Sequence, residues 1–537
     1  MPKYIFICGA LISGLGKGVV TSSIGKNLQV RGKKVNVIKI DPYLNIDAGT
    51  MNPYEHGETY VTADGSEIDV DFGHYERMLN LEMCGDQNIT TGQVYQSVIE
   101  KERRGDFLGK TVQVIPHITD EIKRRIKLIA DREPSYDVLI IEVGGTIGDI
   151  ESQHFLEAIR QLRREMPQED SLLVLVTYIL EPPNLKEQKT KPIQHAVRDL
   201  QAMGLRPDIV VARGSKDLTE KSKDKIVMFC DVPANAVFSL PDLDNVLSAP
   251  RYLDKQGFGS TLNLKMRFED ITADWSEEDR LLEKFSNKDR NVHIAIIGKY
   301  TELADSYISV KEAIKHAAAH NNVYANIEFI STEDYEENPE RIHELNKFDG
   351  ILVPGGFGSR GAEGKIQVIR YSRENGIPFL GICYGFQLAV IEFARNVCYI
   401  KDANTSENSD KVLNPVIDLL PEQKEISDLG GTMRLGKHNI IIEKGTIFEK
   451  LYESNLISER HRHRYEVNVE YIDQLKEKGL VFSGRSEDGK RMESLEIENH
   501  PCFIATQYHP EFQSRPKQPA PPFSEFLRAT VIRSELK

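Results

Sequence analysis

The sequence predicts an α/β fold made of two doubly wound, three-layer domains. Apolar runs of strand length alternate with helical stretches through the first half. After a charged interval, a new apolar strand at 292–298 restarts the same alternation. At two places a strand gives way to a helix through a glycine-marked turn, once around residues 9–18 and once around Cys383.

The elements follow in order. Strands are expected at 4–8, 35–40, 111–115, 137–143, 171–180, 208–212 and 235–240. Helices are expected at 18–31, 119–132, 152–165, 192–203 and 219–229, the first capped by Gly32. This alternation argues for a mostly parallel sheet in a first domain spanning 1–267. Residues 268–290 are rich in charge and read as a linker with a short helix. The second domain, 291–537, continues with strands at 325–330, 350–353 and 378–382, and a proline-rich stretch at 515–522 leads into a last helix at 523–534.

Bulk composition limits the function. A chain of 537 residues is too long for a single core. Its 68 basic and 82 acidic side chains leave a net charge of −14, which argues against broad nucleic-acid or anionic-membrane binding. No apolar run approaches the roughly 20 residues of a membrane span. The apolar start at 4–8 runs into a glycine–lysine loop and not a cleavage site, so it reads as a buried strand. Six cysteines without CxxC spacing suggest neither zinc nor disulfides, which points to the cytoplasm.

One of those cysteines carries chemistry. Cys383 sits in Gly381-Ile382-Cys383-Tyr384-Gly385, between an apolar strand and a helix, and His509-Pro510-Glu511 lies far downstream. Flanking glycines permit a strained turn that exposes a nucleophile, and the helix N-terminus behind the sulfur favours the thiolate. A histidine followed by a carboxylate can accept the thiol proton and be held in one orientation. A buried structural cysteine is the alternative for the thiol taken alone.

The first half carries a phosphate-loop pattern. Strand 4–8 opens into Gly9-Ala10-Leu11-Ile12-Ser13-Gly14-Leu15-Gly16-Lys17-Gly18. Such a loop frees backbone N–H groups for phosphates, and the lysine adds a point charge; a plain glycine turn is the alternative for the loop taken alone. The hydroxyl residue usual after the lysine is replaced by Gly18, so metal ligands are sought elsewhere. Glu142 ends an apolar strand, and Asp69 and Asp71 alternate with apolar residues as if on one strand face. Solvated acids at a strand edge are the alternative. Lys39 lies at the mouth of the sheet, and Lys189 and Lys191 precede a helix-starting proline, where either an anion site or a surface basic cluster fits.

The motifs Gly14-Leu15-Gly16-Lys17-Gly18, Lys39-Ile40-Asp41-Pro42-Tyr43, Gly73-His74-Tyr75-Glu76-Arg77 and Gly144-Gly145-Thr146-Ile147-Gly148-Asp149-Ile150-Glu151 resemble the CTP synthase family. So do Gly355-Gly356-Phe357-Gly358, Gly430-Gly431-Thr432-Met433-Arg434-Leu435-Gly436 and His461-Arg462-His463-Arg464-Tyr465-Glu466-Val467. The resemblance covers essentially the whole chain. It implies a glutamine-hydrolysing carbon–nitrogen ligase of de novo pyrimidine nucleotide biosynthesis. Its class I glutamine amidotransferase domain would release ammonia, which passes through a tunnel to a P-loop-like amidoligase domain. There ATP phosphorylates O4 of UTP and ammonia displaces phosphate to give CTP.

The resemblance also implies roles. Cys383, His509 and Glu511 would be catalytic. Gly356, Tyr384, Gly385, Phe386, Gln387, Glu407 and Arg464 would bind glutamine, with Gly356 and Tyr384 N–H groups forming the oxyanion hole. Ser13, Gly14, Leu15, Gly16, Lys17, Gly18, Asp71, Asp242 and Leu243 would bind ATP. Ser13, Asp149, Ile150, Glu151, Lys189, Thr190, Lys191, Pro192, Ile193, Gln194 and Lys225 would bind UTP or the inhibitor CTP. Asp71 and Glu142 would hold Mg2+. Residues 430–436 and Arg360 would serve activation by GTP, and the family is commonly a homotetramer.

The sequence departs from the family pattern at Gly14, where serine is usual, at Thr59 beside the tunnel segment, at Pro241 near the adenine, and at Tyr384 and Phe386 around the elbow. Two alternatives stand beside this reading. One is an amidotransferase-coupled ligase of the cobyric acid synthase type, and the other is a non-catalytic, nucleotide-regulated filament scaffold.

Overall fold

The computed structural model describes residues 2–184, 187–269, 271–286, 290–299, 301, 303–407, 412–419 and 433–537. Residues 430–432 of the expected GTP segment lie outside the described residues. The chain forms two compact α/β units. The first comprises 1–46 with 74–279, the second 47–73 with 280–537. The segment 47–73, expected in the first domain, therefore packs with the second unit.

In the first unit seven strands form one parallel sheet. Their spatial order is Asn88–Thr90, Val35–Asp41, Val138–Val143, Lys3–Gly9, Ser171–Tyr178, Ile209–Gly214 and Val237–Pro241. Both faces are covered, which is why the central strands Lys3–Gly9, Val138–Val143 and Ser171–Tyr178 are mostly apolar and do not alternate. On one face Tyr4, Phe6, Ile38, Leu139, Leu173 and Val210 meet helices that include Thr119–Ala130, Gln153–Arg164 and Lys191–Ala202. On the other lies helix Lys17–Gln29.

Helix Thr91–Arg104 and strand Asn88–Thr90 were not expected. The helix has a plain start and stop: Thr90 accepts from the Gln93 N–H, and Gly105 closes the end with φ 84°. The expected strand at 111–115 is absent. Val114–Ile118 is instead an irregular turn in which Ile115 stays extended (φ −108°, ψ 123°), with Val114 and Ile115 exposed and a cis bond before Pro116. Proline lacks the N–H that a sheet ladder needs.

The second unit is built on nine strands. Tyr324–Ser331, Asn291–Gly298, Gly350–Val353, Phe379–Ile382 and Phe503–Thr506 run parallel. Met492–Ile497, Leu480–Ser486, Arg434–Ile442 and Leu456–His463 extend the sheet antiparallel. Its three layers follow from alternation: Ile351, Val353 and Phe379 face one core with helices Ala362–Glu374 and Tyr384–Asn396. Leu352, Leu380 and Ile382 face the opposite core with helices Ile308–His320 and Pro521–Leu536.

Within 47–73, Asp69 and Asp71 do not share a strand face as expected. The strand is only Glu67–Ile68, paired with Tyr60–Val61, and Asp71 opens helix Asp71–Leu79. The Asp69 carboxylate accepts from the Asp71 N–H at 3.1 Å. That local turn competes successfully with strand extension.

Ile140 is fully buried at the centre of the first sheet, opposite Ile5 and Val37. Ile140→Ala is expected to destabilise the first unit by about 2–5 kcal/mol, read as a lower denaturant midpoint for that unit.

Candidate active site

Parallel pairing places the thiol. Strand Phe379–Ile382 lies beside Phe503–Thr506 with Ile382 opposite Thr506, and the Cys383 N–H donates to Thr506 O at 2.7 Å. Cys383 then turns with φ 52° and ψ −99° into helix Tyr384–Asn396. A non-glycine residue held there costs about 1–3 kcal/mol. The turn demands glycine at 385, because a Cβ would stand 2.1 Å from Val353 O. The helix begins directly after the sulfur, so its positive end lies at the thiol.

His509 comes from the end of the neighbouring strand. Its N–H donates to Arg460 O at 2.8 Å, and its ring stacks on Phe512 at 5.0 Å. Nδ1 lies 2.6 Å from Glu511 Oε1. Burial alone would lower the imidazole pKa, but the charges of Glu511 and Cys383 more than reverse this and raise it to about 10. His509 therefore keeps a proton through the neutral range.

Cys383, His509, Gly356 and Arg464 open on a cavity of about 470 Å³, which Met51 and Thr59 of the 47–73 segment also line. Glu407 accepts from the Gly358 N–H at 2.6 Å, and burial pushes its carboxyl pKa up. Gln387 donates to Tyr465 O at 2.7 Å and to Gln507 at 3.1 Å. The Tyr384 hydroxyl donates to Gly358 O at 3.3 Å. The Phe386 side chain is fully buried in the core, so only its backbone and that of Gly385 are available to a ligand.

Two further residues enter this site. Gln507 donates to the Cys383 sulfur at 3.7 Å. Arg462 lines the cavity, its carbonyl accepts from the thiol at 3.5 Å, and its guanidinium meets Glu67 at 2.8 Å. Strand periodicity in 461–464 held the signal for Arg462. His461 and His463 turn inward, with His461 on Glu493 at 2.9 Å, while Arg462 and Arg464 reach the cavity. Nothing in the sequence around Gln507 marked it.

In the first unit, the loop at 9–17 follows the strand that lies between Val138–Val143 and Ser171–Tyr178. Gly14 and Gly16 adopt φ 70° and 79°, conformations open to glycine. Ser13 and Gly14 are exposed, while Leu15, Lys17 and Gly18 are buried. Lys17 donates to Gly145 O at 2.8 Å. Glu142 is buried and accepts from Thr21 at 2.5 Å and Tyr75 at 2.7 Å, with Lys39 at 3.6 Å. Hard oxygen donors of this kind suit Mg2+ that takes its other ligands from phosphate and water. Among the described residues, no three His, Cys, Asp or Glu side chains are grouped to hold an ion by themselves.

Asp149 folds back onto Thr146, accepting from its N–H at 2.6 Å and its hydroxyl at 2.9 Å, and leaves Ile150 and Glu151 exposed. Lys189 and Lys225 both meet Glu187, at 2.8 and 3.8 Å. Helix Lys191–Ala202 starts with Pro192 in its first turn, and Gln194 donates to the Thr190 hydroxyl at 3.1 Å. Ile193 is fully buried in the core. Asp242 is exposed beside half-buried Leu243. It pairs at 3.0 Å with Arg213, which also donates to Leu15 O at 3.2 Å. Arg213 thus ties the loop to Asp242, a link that sequence spacing did not suggest.

These sites define a class: a thiol amidotransferase unit carried on one chain with a nucleotide-loop unit. Family models agree. Residues 3–268 match the CTP synthase N-terminus, and residues 302–529 match class-I glutamine amidotransferase. A CTP synthase of Pyrococcus furiosus is 52% identical over 98% of this chain and 98% of its own length. One from Methanosarcina acetivorans is 51% identical, again over 98% of each. The solved glutaminase domain of a Trypanosoma brucei CTPS with bound acivicin aligns at 37% identity and a TM-score of 0.42, covering 45% of this chain and 94% of that one. The chain belongs to the CTP synthase family.

Glu511→Gln removes the strongest influence that raises His509, so the imidazole should lose its proton at lower pH. The pH profile of glutamine hydrolysis should then shift its alkaline limb downward, with kcat about 10- to 100-fold lower. An unchanged alkaline limb would contradict the pairing.

Proposed function

We propose that this chain makes CTP from UTP, ATP and glutamine. The observation that carries this reading is the Cys383–His509–Glu511 arrangement around one cavity, on a chain that also bears the Lys17 loop. The thiolate attacks the glutamine carboxamide carbon. Gly356 and Tyr384 N–H groups stabilise the oxyanion, and His509 gives its proton to the departing ammonia. Water, deprotonated by His509, then cleaves the thioester to glutamate. Arg464 suits the substrate α-carboxylate because its fork binds two oxygens, and Glu407 suits the α-ammonium.

In the first unit, Lys17 and the backbone of Ser13, Gly14, Leu15, Gly16 and Gly18 suit ATP phosphates, with Asp242 and Leu243 toward the adenosine. Asp149, Ile150, Glu151, Lys189, Thr190, Lys191, Pro192, Gln194 and Lys225 serve UTP, and CTP as inhibitor, with Ile193 able to offer only its backbone. Glu142 is the carboxylate of this unit that would hold nucleotide-bound Mg2+, which when bound neutralises phosphate charge. The carbonyl oxygen of uracil leaves poorly until phosphorylated, so phosphoryl transfer to O4 precedes attack of ammonia at C4. GTP as activator, a cytoplasmic setting and a homotetramer complete the proposal. In the structure no helix of the described residues is long and apolar enough to cross a membrane.

Cys383→Ala should reduce glutamine-dependent CTP formation below about 1% of wild type while synthesis from added ammonium chloride continues. Loss of both in a folded variant would refute the two-site scheme. Glu142→Ala should stop CTP formation from either nitrogen source, by about 100-fold or more. It should leave glutamine hydrolysis measurable as released glutamate.

A further inference from the structure

Lys365 is a buried cation that the scheme above does not use. It sits on helix Ala362–Glu374 and is 1% exposed. Among the described residues it makes no ion pair, and its hydrogen-bond acceptor is Pro354 O at 3.5 Å. Its Nζ lies 5.3 Å from the Tyr384 ring centre and 3.7 Å from where a Cβ on Gly356 would stand. Gly355 borders both His509 and Cys383: a Cβ there would lie 3.3 Å from the imidazole and 3.7 Å from the Cys383 Cβ.

An ammonium buried without a carboxylate is costly, and an apolar side chain of equal length would fill the same space at less cost. The groups acting on it are Lys299 after strand Asn291–Gly298, Glu407 after strand Ala403–Thr405, and Cys383 at the head of helix Tyr384–Asn396. Burial and Lys299 lower its pKa to about 7, while Cys383 and Glu407 oppose the fall. A cation here costs least when negative charge is present at the thiol.

We infer that Lys365 is a positioning residue of the amide-hydrolysing site. Its amine binds the Pro354 carbonyl at the cavity wall, so that the adjoining Gly355-Gly356 backbone presents the Gly356 N–H to the oxyanion. Its positive charge is coupled to Cys383 and grows in effect as negative charge develops there. The inference rests on Cys383 being the nucleophile of glutamine hydrolysis, which Cys383→Ala tests separately.

The experiment uses full-length Lys365→Met, matched in length and without charge. Its kcat for glutamine hydrolysis should fall about 10- to 100-fold, with KM within about twofold and the melting temperature unchanged or higher. The rate at which iodoacetate alkylates Cys383, relative to neutral iodoacetamide, should drop at least about threefold, because an anionic reagent senses the lost charge. A kcat within about threefold of wild type, or an unchanged reagent ratio, overturns the inference. So does a kcat loss accompanied by a lower melting temperature and a raised KM. Should Lys365→Met fail to fold, Lys365→Arg carries the test. It should keep the reagent ratio within about twofold of wild type, and a ratio that collapses despite the retained charge overturns the inference. If wild type shows no glutamine hydrolysis that Cys383→Ala abolishes, the underlying reading fails instead.

Discussion

The register of parallel strands is the constraint on which both sites depend. Parallel pairing sends every C-terminal strand end to one edge, and the register decides which ends meet. In the second unit, Ile382 stands opposite Thr506, so Cys383 and His509 leave neighbouring strands at the same level. In the first, Glu142 stands opposite both Ile7 and Lys39, which brings a carboxylate, a lysine and the strand leading into the phosphate loop together. A one-residue slip would turn each of these side chains to the other face.

On that frame the second unit stores strain and charge where the chemistry occurs. Cys383 occupies a left-handed conformation because Thr506 O takes its N–H and Gly385 leaves room for Val353 O. Glu511 keeps a proton on a buried imidazole that would otherwise lose it, since water is excluded and the carboxylate dominates the local field. The same unit buries a second polar cluster. The His461–Glu493–Arg434 group braces the strand that carries Arg462.

Much of this was legible in the chain. Apolar strands buried on both faces announced themselves as continuous runs, and the parallel strands around 3–9, 35–41 and 138–143 were found within a residue or so. Short or exposed elements were harder. Asn88–Thr90 has only three residues, and the apolar run at 111–115 proved to be an exposed turn at a proline. The aspartates at 69 and 71 alternate as a strand would, yet one carboxylate captures the other's N–H and starts a helix. Pattern alone does not weigh a local hydrogen bond against a sheet edge.

The sequence by itself determined the α/β class, the glycine turns, the thiol with its distant His–Glu pair, and through resemblance the family. These are local or periodic features, readable because backbone sterics and burial act residue by residue. Only the tertiary structure decided that 47–73 packs with the second unit and lines the thiol cavity. It alone placed Gln507 on the sulfur, tied Arg213 to the phosphate loop and set Lys365 beneath Gly356. Those partners are joined by contacts between segments far apart in the chain, and no spacing rule connects them until the sheet register brings them together.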